Sequence, residues 1–239
     1  MTEKTTHEGH RYNHTGGMVA DLLREKTQSG SNPSHASSSY NLSFTAASLR
    51  TEMARIVAEC YLAAGDWDFA KDRILSSNAL QCRSASSAIR LGRELRQRLE
   101  TLTRDQIILI AQATAEDRAA IAWLAACKHI RFAFEFAAEV LRDKLAAHDP
   151  VLRHSDYEAY VENKSLAHPE LARLTTSSKN KVRQVLLRML AEAGLLGKGT
   201  ALGTIQRPAL SPAVVRVVTS DSPHWLAGFL VPDNEIPSR

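Results

Sequence analysis

Residues 175–196 read TTSSKNKVRQVLLRMLAEAGLL, and this stretch sorts into two faces. Val182, Val185, Leu186, Met189, Leu190 and Ala193 recur at intervals of three and four, which places them on one side of a helix. Ser177, Lys181, Gln184 and Arg188 step by four, three and four on the opposite side, while Lys179 and Arg183 flank the apolar stripe. The hydroxyls of residues 175–178 can accept hydrogen bonds from the first backbone N–H groups, which have no partner inside the helix. Gly194 supplies a stop. A helix carrying cations, amides and hydroxyls outward has the groups needed to meet phosphates and base edges in a DNA major groove. An ordinary solvated helix face has the same pattern, so this stretch alone leaves both readings open.

A counterpart lies upstream. Ser84 opens a run to Leu99 whose expected inward stripe is Ala85, Ala88, Ile89, Gly92, Leu95 and Leu99. Arg83, Ser86, Ser87, Arg90, Arg93, Gln97 and Arg98 lie around its outer side. Residues 83–98 set five arginines against Glu94 alone, and residues 175–198 set five cations against Glu192 alone. The whole chain of 239 residues carries a net charge of only +4, so the remainder is negative and the positive charge is concentrated in two helices. Solvated faces usually interleave the two signs. Lys and Arg can neutralise phosphates, Arg can read guanine and Gln adenine, and hydroxyl-rich helix N-termini suit phosphate. The candidate DNA-contacting residues are therefore Arg83, Ser86, Ser87, Arg90, Arg93 and Gln97, with Ser177, Lys179, Lys181, Gln184, Arg188 and Lys198.

The flanking segments extend the helical reading. Ser43 or Thr45 can cap a helix to about Ala64, Gly65 ends it, and Asp66 opens another through Leu75. Helix, helix, turn and basic helix is the outline of a helix-turn-helix element, though many bundles share it. Thr103 with Gln106 predicts a capping box for a helix to about Ala113. Residues 115–148 are helical in pattern, with a break near His129 to Arg131, and apolar on more than one side, as expected of a central spine. Ser155 with Glu158 predicts a second capping box, and Pro169 a short helical turn. Residues 195–208, with Gly197, Gly199 and Gly203, fit a hairpin in the place of a wing. Pro212 starts a segment in which Val214 to Val218 suits helix or strand, and Trp225 to Val231 should pack on the body.

The expected fold is all-α: a compact helical bundle with two helix-turn-helix-like elements, the C-terminal one winged, behind a disordered N-terminal extension. Residues 1–42 form the flexible extension, 43–149 and 150–232 the two helical regions, and 233–239 a frayed tail. Within the extension, Met18 to Lys26 has a one-sided apolar pattern, and His7, His10 and His14 have a spacing a metal could use. They lack a second ligand cluster, so no metal site is expected there.

Cys60, Cys82 and Cys127 are sparse and far apart, which fits reduced thiols in a cytoplasmic protein. There is no apolar signal core and no run of about 18–20 apolar residues, so no membrane span is expected. Phosphate-loop, dinucleotide, nucleophile-elbow and zinc-protease motifs are absent. The acidic pairs Asp66/Asp68, Glu116/Asp117 and Asp156/Glu158 each sit at a helix start, where the helix dipole accounts for them. A non-enzymatic chain without cofactor or metal is the expectation.

Several blocks together resemble a known family. YNLSFTAASL from Tyr40, AGDWD from Ala64 and NALQCRSASSA from Asn78 are followed by WLAACK from Trp123 and FAAEVLRDK from Phe136. HPEL from His168 and VRQVLLRMLAEAGLL from Val182 complete the series. This order is similar to the BrxA family of bacteriophage-exclusion (BREX) defence systems, over about Tyr40 to Leu196 with Pro212 as the outer limit. The resemblance implies an all-helical, NusB-like fold with two helix-turn-helix-like elements and binding to double-stranded DNA. It implies a role beside a methyltransferase and other BREX components, and it carries no catalytic residues to transfer. The family has also borne the label of an inner-membrane protein, which the lack of an apolar span contradicts. The partners expected are double-stranded DNA and other BREX components, with no membrane, and the chain is expected to be monomeric. An RNA-binding or protein-scaffolding adaptor within the same defence complex is the alternative.

Overall fold

The computed structural model describes residues 39–237, so the expected Met18 to Lys26 helix and the His7, His10 and His14 group lie outside the described residues. A 3-10 turn at Ser43–Ala46 leads to α1 (Thr51–Ala64), which Gly65 closes at φ 72°. Asp66 then accepts from the N–H groups of Asp68 and Phe69 and starts α2 (Trp67–Ser76). Ser84 caps α3 (Ala85–Leu99) through the Ser87 N–H. Thr103 and Gln106 form the expected capping box of α4 (Arg104–Gln112). α5 (Ala115–His129) follows, capped by Thr114. The chain breaks at Ile130, as expected, and continues as α6 (Arg131–Glu135), a π-helical turn at Phe136–Leu141 and α7 (Arg142–Ala146). α8 (His154–Ser165), α9 (Pro169–Ala172), α10 (Thr176–Glu192) and α11 (Pro212–Asp221) complete the helices. The fold is all-α, as expected, and Val214 to Val218 is helical.

The core is organised around α5. Residues Ala120 to Cys127 are buried without interruption, and the Trp123 indole N–H donates to the Gly228 carbonyl at 2.9 Å. That bond fixes the C-terminal apolar segment Leu226–Leu230 on the body. Val182, Val185, Leu186, Met189, Leu190 and Ala193 are all buried, so the apolar stripe of α10 joins the same core. The hairpin after α10 is present as β2 (Leu196–Gly197) and β3 (Gly203–Ile205). A third strand, β1 (Val151–Leu152), pairs antiparallel with the other side of β3, Val151 opposite Thr204. Gly203 lies at φ 136°, where an added Cβ would come within 2.7 Å of the Gly197 carbonyl oxygen, so the hairpin requires glycine there.

Five local expectations are corrected. The segment from Ser43 to Ala64 is not one helix: residues 47–50 leave the helical path and Arg50 takes a left-handed φ of 51°. The cause is a buried arginine. Arg98, expected on the outer side of α3, is 2 % exposed and pairs with Glu94, Nη2 to Oε1 at 2.7 Å. Its guanidinium also donates to the carbonyls of Ser48 at 2.7 Å and Ala47 at 2.9 Å. Conversely Ile89, expected inward, is 51 % exposed. α8 is capped not by Ser155 and Glu158 but by Asp156, which accepts the Arg153 N–H at 2.7 Å while pairing with Lys144. Residues 233–235 form a 3-10 turn held by Arg142–Asp233 and Arg207–Glu235 ion pairs rather than fraying. Among the described residues, no helix is long and apolar enough to cross a membrane.

Removing the Arg98 guanidinium leaves Glu94 and two loop carbonyls without their partner in a dry site. Arg98→Ala is expected to lower the unfolding free energy by roughly 3–5 kcal/mol, read by urea denaturation.

Candidate nucleic-acid interface

The outer side of α10 is built by its inner side. Burial of the Val182–Leu190 stripe fixes the helix rotation, and Ser177, Lys179, Lys181, Gln184 and Arg188 are all exposed as expected. Lys198 is exposed in the hairpin. None of Lys179, Lys181, Arg188 and Lys198 has an ion-pair partner among the described residues. Glu192 is the one acid of this helix, and its carboxylate is held against Ser48 and Leu49. It accepts from the Ser48 hydroxyl and the Leu49 N–H, both at 2.7 Å. No cation of α10 is ion-paired with it, so the cations of this helix outnumber its single carboxylate and remain open to solvent.

The two basic sides of α10 differ in what opposes them. Lys179 and Arg183 line a cleft shared with Glu158 and Glu162 of α8. Lys181, Gln184 and Arg188 line a groove of about 380 Å³ whose other wall is Thr45, Ala46, Ala47, Ser48 and Arg50. Among the described residues no acid lines that groove. The acid nearest Arg50 in sequence, Glu52, is bonded to Arg55 and Arg118. With three cations in the lining and one carboxylate, Glu192, behind Ser48, against two cations and two carboxylates in the α8 cleft, electrostatics favours the Lys181–Arg188 side for an anionic partner, with Arg50 as a third cation.

Arg50 was not legible in the sequence as a site residue. It reads as one more position in a helix starting near Ser43. Only the break at residues 47–50, imposed by Arg98 and Glu192, carries it to the side of α10. No local sequence signal marks it.

On α3 the candidate residues Arg83, Ser86, Ser87, Arg90, Arg93 and Gln97 are all exposed. Arg83, Arg90 and Arg93 have no acidic partner among the described residues. The other two arginines of the run are spent: Arg98 is buried with Glu94, and Arg96 bonds Asp68 at 2.6 Å and Glu100 at 2.7 Å. Ser84 accepts from the Ser87 N–H at 3.2 Å and lies 2.9 Å from the Ser87 hydroxyl, so Ser87 serves the cap. The α3 residues do not line the α10 groove, so the structure presents two basic surfaces and not one merged patch.

Four of the six acids at helix starts have structural partners. Asp66 caps α2, Asp68 pairs with Arg96, Asp117 accepts from the Ser211 hydroxyl and Asp156 caps α8. His129 is half-buried beside Asn41, and burial lowers its imidazole below the usual range. Burial likewise pushes the Cys127 thiol well above its ordinary value, which keeps it protonated and poorly nucleophilic.

The BrxA family profile matches residues 38–222. The chain belongs to the BrxA family. Among its BrxA relatives, the BREX protein BrxA of Escherichia coli O9:H4 (strain HS) is 30 % identical over 146 residues, covering 61 % of this chain and 68 % of that protein. The BREX protein BrxA of Bacillus cereus (strain H3081.97) is 29 % identical over 145 residues, 61 % of this chain and 72 % of its own. The crystal structure of an uncharacterized protein from Magnetospirillum magneticum aligns with a TM-score of 0.70 at 21 % identity, covering 81 % of this chain and 98 % of that one. That likeness shows that the fold is shared. The BrxA match extends at both ends beyond the blocks legible by eye, and takes in β3 and α11.

Arg50 provides a direct check on the α10 groove. Arg50→Gly relieves a left-handed non-glycine residue, so folding stability should stay within about 1 kcal/mol of the parent. The variant should nevertheless elute from heparin at lower salt.

Proposed function

We propose that this BrxA-family chain is a non-enzymatic, double-stranded DNA-binding component of a BREX phage-defence system. The observation that carries this reading is the cation-rich groove in which Arg50, Lys181, Gln184 and Arg188 converge. Cations whose own neighbours do not neutralise them are free to replace the counterions of a phosphate backbone, which is the main source of duplex affinity. Gln184 adds a side chain able to read a base edge beside them. The order α8, α9, α10 and then a hairpin carrying Lys198 suits a winged helix, with α10 as the helix nearest the groove of the DNA. Arg83, Arg90 and Arg93 on α3 supply a second phosphate-facing surface, capped at Ser84.

RNA is the weaker reading. Single-stranded RNA is held largely by stacking on exposed aromatic side chains. Only Phe69 is a strongly exposed aromatic ring among the described residues, at 71 %. It stands on α2, away from the α10 groove.

The test is duplex binding by fluorescence anisotropy across a salt series, with single-stranded DNA and duplex RNA as competitors. Affinity should fall steeply with salt, and duplex DNA should compete best. The Lys181→Glu/Arg188→Glu double variant should keep its helical circular dichroism. It should bind about tenfold or more weakly, and its salt slope should fall by about 2. Absence of duplex binding at low salt defeats the proposal.

A further inference from the structure

A second groove, of about 440 Å³, lies between α2 and α3 above α1. Its floor is apolar and well packed: Val57, Ala70, Ile74 and Ala88 are each 5 % exposed or less. Its edge carries Ile89, a large apolar side chain left 51 % exposed. Two cations stand at the rim, Lys71 from α2 and Arg93 from α3, both exposed and neither within ion-pair distance of an acid among the described residues. Arg96 also lines the groove, tied to Asp68 of α2 and to Glu100, the C-cap of α3 and the one acid in the groove lining, so that this carboxylate is matched and the two walls are braced against each other.

Gly92 supplies an independent sign that this groove is kept open. It lies inside α3 without a left-handed φ, so the turn geometry does not require glycine. A Cβ built on it would meet only the Leu80 Cδ1 atom, at an ordinary 3.8 Å, so packing does not require glycine either. Alanine would favour the helix more. What glycine does here is leave out a side chain from a groove-lining position.

We propose that the α2–α3 groove docks an amphipathic helix of a partner protein whose apolar stripe is flanked by Asp or Glu. An apolar stripe would cover Ile89 and the floor, and the flanking carboxylates would meet Lys71 and Arg93. This is the helix-in-groove mode of recognition, with apolar anchors at i, i+3, i+4 and i+7. A DNA backbone offers no apolar surface for the floor, and a second copy of this basic chain is a poorer electrostatic match. The site borders the basic face of α3, since Arg93 and Gln97 line the groove as well as belonging to that face. A partner seated here would lie beside whatever α3 contacts.

The probe is a fluorescein-labelled peptide of about 18 residues with Leu at the anchor positions and Glu beside them, titrated with the full chain. A twin has Lys in place of Glu. The Glu peptide should bind saturably, and the Lys twin about tenfold more weakly. Gly92→Met, which adds a long side chain at a groove-lining position, should weaken the Glu peptide about tenfold, and Lys71→Glu, at the surface, about fivefold. Both variants should keep the parent's melting temperature, and both should bind duplex DNA within about twofold of the parent. That last measurement separates this proposal from the DNA reading, which can fail while the groove binds. The proposal is overturned by any of four results. These are no saturable peptide binding, equal affinity for both peptides, Glu-peptide affinity unchanged in both variants, or a sedimentation dimer that Gly92→Met dissolves.

Discussion

The buried guanidinium of Arg98 is the constraint on which the surface of this molecule depends. It pairs with Glu94 one turn earlier on α3 and donates to the carbonyls of Ala47 and Ser48, about fifty residues upstream. Desolvating a guanidinium is costly, and burial pulls its pKa below the usual arginine range. The site is tolerable because the charge is matched by Glu94 and the donors by carbonyls. From the other side Glu192, on α10, accepts the Leu49 N–H and the Ser48 hydroxyl. Backbone groups engaged this way are not available to a helix, so the chain breaks at residues 47–50. That break joins α3 to α10 through one short segment and turns Arg50 toward the α10 groove.

The same network explains why net charge says so little about this chain. Its cations divide into two populations. Arg96, Arg98, Arg118, Lys128 and Lys144 are tied to carboxylates within or between helices, where they brace the bundle. Arg50, Arg83, Arg90, Arg93, Lys181 and Arg188 are left exposed. An ion pair between surface groups contributes little to stability. Its larger effect here is to remove charge from the field that a polyanion would meet. A total of +4 therefore conceals two concentrated basic surfaces.

Membership of the BrxA family and a shared fold with the Magnetospirillum magneticum protein set the frame in which these surfaces are read. The fold holds the surfaces through the buried stripe of α10 and the spine of α5. At 21 % identity, what persists between the two structures is the fold, and the exposed charges must be argued residue by residue.

Much of the architecture was legible in the sequence because its signals are short-range. The caps at Asp66, Ser84, Thr103 and Thr175 bond N–H groups two or three residues away. The apolar stripe of α10 repeats every three or four, and Gly203 marks its own tight turn. Both candidate helices and the exposure of all twelve candidate residues followed from those patterns. The failures were of another kind. Arg98 looked like Arg93, and Arg50 looked like mid-helix, because a side chain's role depends on partners that periodicity does not reach. Ser48 meets Glu192 across 144 positions, and Arg96 meets Asp68 across 28. Local pattern in the chain set the starts of α2, α3, α4 and α10, the buried stripe of α10 and the places where positive charge collects. Which cations stay unpaired, and which side of α10 faces the acids of α8, follows from the packed chain alone, because Coulomb and hydrogen-bond partners are chosen by distance in space.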